Sequence, residues 1–173
     1  NIDLSFFVQF SSISMQMIFA RRKFAQMFFF AYSINMNYEE LIESAIKMQN
    51  YSYVPYSHFH VGAALLTADG KVYTGCNIEN GSYGATNCAE RTAIFKAVSE
   101  GEKNFSAIAV VGGHEDKDGN PTIEDFCPPC GICRQVMLEF CKNDFKIILA
   151  KNPKDYKVFT LNDLLPESFS LKD

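Results

Sequence analysis

No stretch of this 173-residue sequence is long and apolar enough to span a membrane. The longest, Phe24 to Tyr32, is broken by Gln26, whereas a spanning helix needs ~20 apolar residues. Positive charge is scarce: 16 Lys and Arg stand against 20 Asp and Glu, a formal net charge of −4. That weighs against a surface built to grip nucleic-acid phosphates, which needs a basic patch. There is no internal repeat, and nothing collagenous, disordered or coiled-coil. The contents of 47% apolar and 21% charged residues are ordinary for a globular chain. The length suits one domain with a real core. Histidine is sparse, with His58, His60 and His114 only, and none is expected to bind a metal.

The chain divides by character at about residue 35. Residues 1–35 are rich in Phe, Met and Ser and hold three cations, Arg21, Arg22 and Lys23, against Asp3 alone. They lack the charge-then-apolar order and small-residue cleavage site of a secretory signal. Two readings stay open for this N-terminal extension: an acid-poor targeting segment, or an appendage upstream of a native start at Met36. The globular domain is expected over 36–173. It carries the remaining charge of −6, easier to reconcile with a small neutral substrate than with a polyanion.

The patterning of that domain reads α-β-β-α-β-α-β-β-α. Apolar residues at Leu41, Ile42, Ala45 and Ile46 predict a helix over 38–48, capped by Asn37 with Glu39 and Glu40 in its first turn. Phe59–Leu66 and Lys71–Cys76 predict two strands joined at Asp69-Gly70. Residues 77–87 read as a polar loop. Further helices are expected over 88–98 and 130–141, with strands over 105–111, 145–150 and 157–161 and a long loop over 112–129. Asn162–Leu165 reads as a final helical turn. Strands joined through helices favour a sheet covered on both faces.

Six cysteines are present, and three of them, Cys127, Cys130 and Cys133, are bunched. Bunching of this kind in a chain able to build its own core points to metal ligation in a reducing compartment rather than to disulfides. Cys88-Ala89-Glu90 precedes Pro129-Cys130-Gly131-Ile132-Cys133, and each cysteine group opens a predicted helix. Helix N-termini present free N–H groups and a positive dipole end, which stabilise the thiolate that binds metal. Cys130 and Cys133 share a face of the first turn, and Cys88 can join them from the neighbouring helix. Three thiolates on zinc leave a fourth tetrahedral position open, as a catalytic site requires. Glu90 is then placed to act as general acid and base beside that position. Three thiolates on one dication leave net negative charge, which Arg91 can offset by hydrogen bonding to a sulfur, with Gln135 in a similar supporting place. Two other ligand sets stay open at this level: Cys127 with Cys130 as the true pair, or a closed four-cysteine site with no room for water. Cys76 and Cys141 read as small core residues.

A C-x-E segment followed by P-C-x-x-C is the all-cysteine form of a zinc-deaminase signature. Residues 37 to about 170 resemble the homotetrameric zinc-dependent cytidine deaminase family. The resemblance is carried by Phe59-His60-Val61-Gly62-Ala63-Ala64-Leu65, Asn77-Ile78-Glu79-Asn80, Tyr83, Cys88-Ala89-Glu90-Arg91, Pro129 to Gln135, and Leu164-Leu165-Pro166 with Phe169. It implies a three-layer α-β-α fold, of the α/β class, with a mixed five-stranded sheet. It also implies hydrolytic deamination of free cytidine and deoxycytidine in pyrimidine salvage, with Zn2+ as cofactor. Asn77 and Glu79 would bind the ribose hydroxyls. Phe59 would pack on the base, and the N–H of Ala89 with Glu90 would read the pyrimidine edge. Tyr83 and Phe169 would reach a neighbouring subunit's site, so a homotetramer is expected. The partner is a small nucleoside, with no nucleic acid and no membrane, and the location is cytoplasmic. Without the resemblance, Asn77 and Glu79 read as turn residues. The chain departs from the family in its extension, in Gly81, where Ala is common, and in Cys127-Pro128, where a small residue such as Ser usually precedes Pro129.

Overall fold

A computed structural model describes residues 37–171, which belong to one unit, Met36–Asp173. The expected extension over 1–35 lies outside the described residues. The elements run α1 (Tyr38–Gln49), β1 (Phe59–Thr67), β2 (Val72–Cys76), a 3-10 turn (Tyr83–Ala85), α2 (Ala89–Ser99), β3 (Phe105–His114), α3 (Gly131–Phe140), β4 (Lys146–Asn152), β5 (Asp155–Thr160) and α4 (Leu161–Leu164). This is the expected α-β-β-α-β-α-β-β-α order. The strands form one five-stranded sheet in the order β2-β1-β3-β4-β5. Only β3 and β4 pair parallel; the other three pairs are antiparallel, so the sheet is mixed.

Alternation along β1 divides the interior into two layers. Ala64 and Leu66 face α1, where Leu41, Ile42 and Ala45 are fully buried with Ala109, Val111 and Ile148. Ala63 and Leu65 face the opposite way, onto Ala93, Ile94 and Ala97 of α2 and Cys133 and Met137 of α3. Burying Leu41 and Ile42 contributes about 1.5–3 kcal/mol each. The architecture is therefore three-layer α-β-α. Helix α1 starts as expected, with the Asn37 side chain accepting from Glu39 N–H at 3.2 Å.

Two crossovers position the site. β2 and β3 both run antiparallel to β1 and hence parallel to each other, and α2 joins them. α3 joins β3 to its parallel neighbour β4. Helices α2 and α3 thus start beyond the C-terminal ends of β2 and β3, where α/β sheets place their ligands. Gly75 on β2 sets how close α2 can come: a Cβ there would lie 2.4 Å from Ala89 O and 2.6 Å from Ala93 N. The first turn of α2, with Cys88 and Glu90, rests directly on that glycine.

Candidate metal centre and active site

Cys88 is the N-cap of α2 and Cys130 the N-cap of α3, each in extended backbone and neither making a side-chain capping bond. Each replaces the Ser, Thr, Asp or Asn that would ordinarily cap a helix, leaving its sulfur for another use. Cys133 sits one turn into α3 and is fully buried. The three Sγ atoms lie within 4.8 Å of one another, with Cys88 and Cys130 3.9 Å apart. Zinc–sulfur bonds of ~2.3 Å at tetrahedral angles need sulfurs about 3.8 Å apart. Cys88 and Cys130 have that spacing, and three sulfurs are the donor set a thiophilic dication takes.

Charge around the sulfurs fits the same reading. Cys88 is held well below the ordinary thiol value, at about 5, by a hydrogen bond from the Cys133 thiol and by Arg91, against the opposing effect of burial. Cys133 is pushed up correspondingly, so the pair shares a proton that a metal ion would displace. Arg91 Nη2 donates to Cys88 Sγ at 3.6 Å and to Thr86 O at 3.0 Å. Its cation offsets the net negative charge of three thiolates. Gln135 does something different: its amide donates to Phe169 O at 3.4 Å.

Cys127 stands outside the cluster. Burial, with the charges of Glu90 and Cys88, pushes its thiol up to about 12. Its place outside the three-sulfur cluster weighs against both ligand sets that would include it. Its sulfur lies instead over Gly112, where a Cβ would come within 2.7 Å of it and 3.1 Å of Phe59 Cε1. Cys76 and Cys141 are pushed up by burial, as expected of core thiols.

Glu90 is 3% exposed. Burial first, then the Cys88 charge, pushes its carboxyl up to about 7, over the opposing hydrogen bonds of its own backbone and Cys133. The first intrahelical bond of α2 runs from Thr92 N–H to Cys88 O at 3.0 Å, so the N–H of Ala89 lies outside the helical ladder.

Of the other expected contacts, Glu79 and Tyr83 share one cleft. Glu79 Oε2 accepts from Tyr56 N–H at 3.0 Å and Ser57 N–H at 3.2 Å. These bonds, with Ser57's side chain, lower its pKa in spite of burial. Glu79 and Tyr83 line a cleft of about 320 Å3 with Tyr56, Ser57 and Thr86, a size suited to a small ligand. Asn77 is tied to β1: Oδ1 accepts from Val61 N–H and Nδ2 donates to Phe59 O, both at 2.8 Å. One N–H and one lone pair of its amide remain beyond these two bonds. Tyr83 is 77% and Phe169 69% exposed. Phe169 lines a separate cleft with Gln135 and Leu171.

Sequence reasoning assigned no role to Arg134. It ties the start of α3 to α4, donating from Nε to Pro129 O at 2.8 Å and from Nη1 to Leu164 O at 2.6 Å. Its adjacency to Cys133 was the available signal.

Residues 35–149 match the family model for the cytidine and deoxycytidylate deaminase zinc-binding region. The chain belongs to this deaminase family. It is 50% identical over 138 residues to the cytidine deaminase of Halalkalibacterium halodurans, covering 80% of this chain and 98% of that protein. The crystal structure of cytidine deaminase from Burkholderia pseudomallei superposes with a TM-score of 0.68 at 46% identity, covering 78% of this chain and all of the other. The blasticidin-S deaminase of Bacillus cereus is 31% identical, over 80% of this chain and 96% of its own length. With the family goes hydrolytic deaminase chemistry, and its zinc-binding region contains Cys88, Cys130 and Cys133. No helix among the described residues is long and apolar enough to cross a membrane.

Proposed function

We propose that this protein is a zinc-dependent cytidine deaminase that converts free cytidine and deoxycytidine to uridine and deoxyuridine in pyrimidine salvage. Water adds its oxygen to C4 of the base, and the 4-amino group leaves as ammonia. The observation that carries this reading is the placing of three cysteine sulfurs within 4.8 Å at two helix starts, with the buried carboxyl of Glu90 on the first turn of one of them. Zinc held by Cys88, Cys130 and Cys133 supplies the Lewis acidity that makes water nucleophilic at neutral pH. Glu90 takes one proton from the water and delivers it to N3, then carries the remaining hydroxyl proton at C4 to the amino nitrogen, which leaves as ammonia as the C4 carbonyl forms. Burial pushes that carboxyl above the ordinary carboxylate range, the direction a general acid and base needs at neutral pH.

The remaining residues bind and orient. The Ala89 N–H and Glu90 hold the pyrimidine edge, Phe59 packs on its face, and Asn77 and Glu79 take the ribose hydroxyls. Glu79 is already anchored by Tyr56 and Ser57, which points its carboxylate into the cleft. Exposed Tyr83 and Phe169 complete a neighbouring subunit's site in a homotetramer. The free cysteines of the chain suit a cytoplasmic, reducing setting, and the acidic body suits a nucleoside rather than nucleic acid or a membrane.

The test is loss of cytidine absorbance on adding the purified zinc-loaded chain, with blasticidin S in a parallel reaction. Cytidine turnover is expected. Full zinc content with turnover of blasticidin S alone, or of neither compound, would reject the assignment. Light scattering should give four subunits; a fully active single subunit would refute the shared site.

A further inference from the structure

We propose that Glu115 is a positioning residue for the Phe59 ring, clamping the residues on both sides of it, His58 and His60. This rests on reading Phe59 as the ring that packs on the substrate base. One carboxylate reaches both imidazoles: Oε1 is 2.9 Å from His58 Nδ1, and Oε2 is 3.3 Å from His60 Nε2. The Glu115 N–H also donates to His58 O at 3.1 Å. His60 lies on the α1 side of the strand, where its Nδ1 is 3.3 Å from Gln49 O, and His58 meets the same carboxylate from just before the strand. Phe59 projects to the other side, toward the site.

The backbone at His58 needs such a hold. Its φ is +55°, the left-handed region that residues with a Cβ seldom occupy and that surrounding contacts must over-determine. That conformation turns the chain from the Tyr56-Ser57 loop, which anchors Glu79, into β1. Around Phe59 the other restraints are already in place. Asn77 donates to the Phe59 carbonyl and accepts from the Val61 N–H, and Ser57 Oγ accepts from the Phe59 N–H at 3.1 Å. The ring packs edge-on against its cross-strand partner His114, with centroids 4.9 Å apart, and rests near Gly112. Of these contacts, the Glu115 pairings are the ones that hold both flanking side chains.

The test measures KM, kcat, zinc content and melting temperature in the full zinc-loaded protein, for Glu115→Leu, Glu115→Gln, His58→Gly and Phe59→Ala. Loss of both bonds in Glu115→Leu is expected to raise KM for cytidine about tenfold, with kcat within about twofold and zinc complete. Glu115→Gln keeps one acceptor and should restore part of the loss. His58→Gly breaks one pairing while relieving the positive φ. It should therefore raise KM with an unchanged or higher melting temperature, which a merely structural role would not produce. It also carries the test if Glu115→Leu does not fold. In the double variant Phe59→Ala/Glu115→Leu, KM should be that of Phe59→Ala alone. If Phe59→Ala raises KM but His58→Gly and Glu115→Gln do not, the clamp is refuted and the reading of Phe59 stands. If Phe59→Ala leaves KM unchanged, that reading fails and takes the clamp with it. Additive effects in the double variant would place Glu115's action elsewhere and overturn the proposal.

Discussion

Replacing Gly75 by alanine should impair zinc binding and turnover without changing a metal ligand or Glu90. The added Cβ would lie 2.4 Å from Ala89 O, 2.6 Å from Ala93 N and 2.9 Å from Thr92 Cβ. Ordinary contact begins near 3.4 Å, so α2 must retreat from β2 by about 1 Å, because the opposing atoms are mainly backbone and cannot rotate away. Overpacking of this kind costs about 1–3 kcal/mol of stability. The functional cost is larger, since the first turn of α2 carries both Cys88 and Glu90, while Cys130 and Cys133 stay with α3. A misplacement of about 1 Å between reacting groups costs on the order of 100-fold in rate. The assay is kcat/KM by loss of cytidine absorbance, with zinc by atomic absorption and a thermal melt on the same sample. A Gly75→Ala protein that melts normally, holds one zinc per chain and turns over at the wild-type rate would refute the claim that this close approach sets the site.

Glu90→Gln should keep its zinc and lose turnover by about 10²–10⁴-fold, the contribution expected of a general acid and base. Alanine at Cys88, Cys130 or Cys133 should abolish zinc binding, whereas Cys127→Ala should retain it; a metal assay on the four proteins decides. Arg91→Ala should weaken zinc binding by about 10–100-fold. The sign of its pH dependence follows from the cation. Arg91 favours the Cys88 thiolate, so without it protons compete better with metal, and zinc should leave at a higher pH as the solution is acidified. Coincident zinc-release curves for the variant and the wild type would show that Arg91 does not act on the sulfur.

The metal cluster was legible because its signals are local. Cys88 and Cys130 each precede an amphipathic run, and the spacing from Cys130 to Cys133 is one helical turn. The hairpin at Asp69-Gly70 announced itself in the same way, and Gly70 has the positive φ, 89°, that such a turn requires. What failed were features decided by distant neighbours. β3 continues to His114, beyond the expected end at Val111, because Gly112 and Gly113 read as the start of a loop. They are strand residues whose missing side chains make room, Gly112 for Cys127 and Phe59, and Gly113 for the Thr122 carbonyl at 2.2 Å from a would-be Cβ. β5 begins at Asp155 rather than Lys157, since pairing with β4 recruits Asp155 and Tyr156, which extend no alternating hydrophobic pattern. The position of His60 on the α1 side followed from alternation along β1, but its pairing with Glu115, 55 residues away, has no sequence signature at all.

Deamination at this site requires zinc bound by three sulfurs with one coordination position open to water. X-ray absorption at the zinc edge of the purified protein reads the ligand set directly. Three sulfur scatterers and one oxygen or nitrogen scatterer are predicted, unchanged in Cys127→Ala. Four sulfurs, or a loss of one sulfur in that variant, would contradict it.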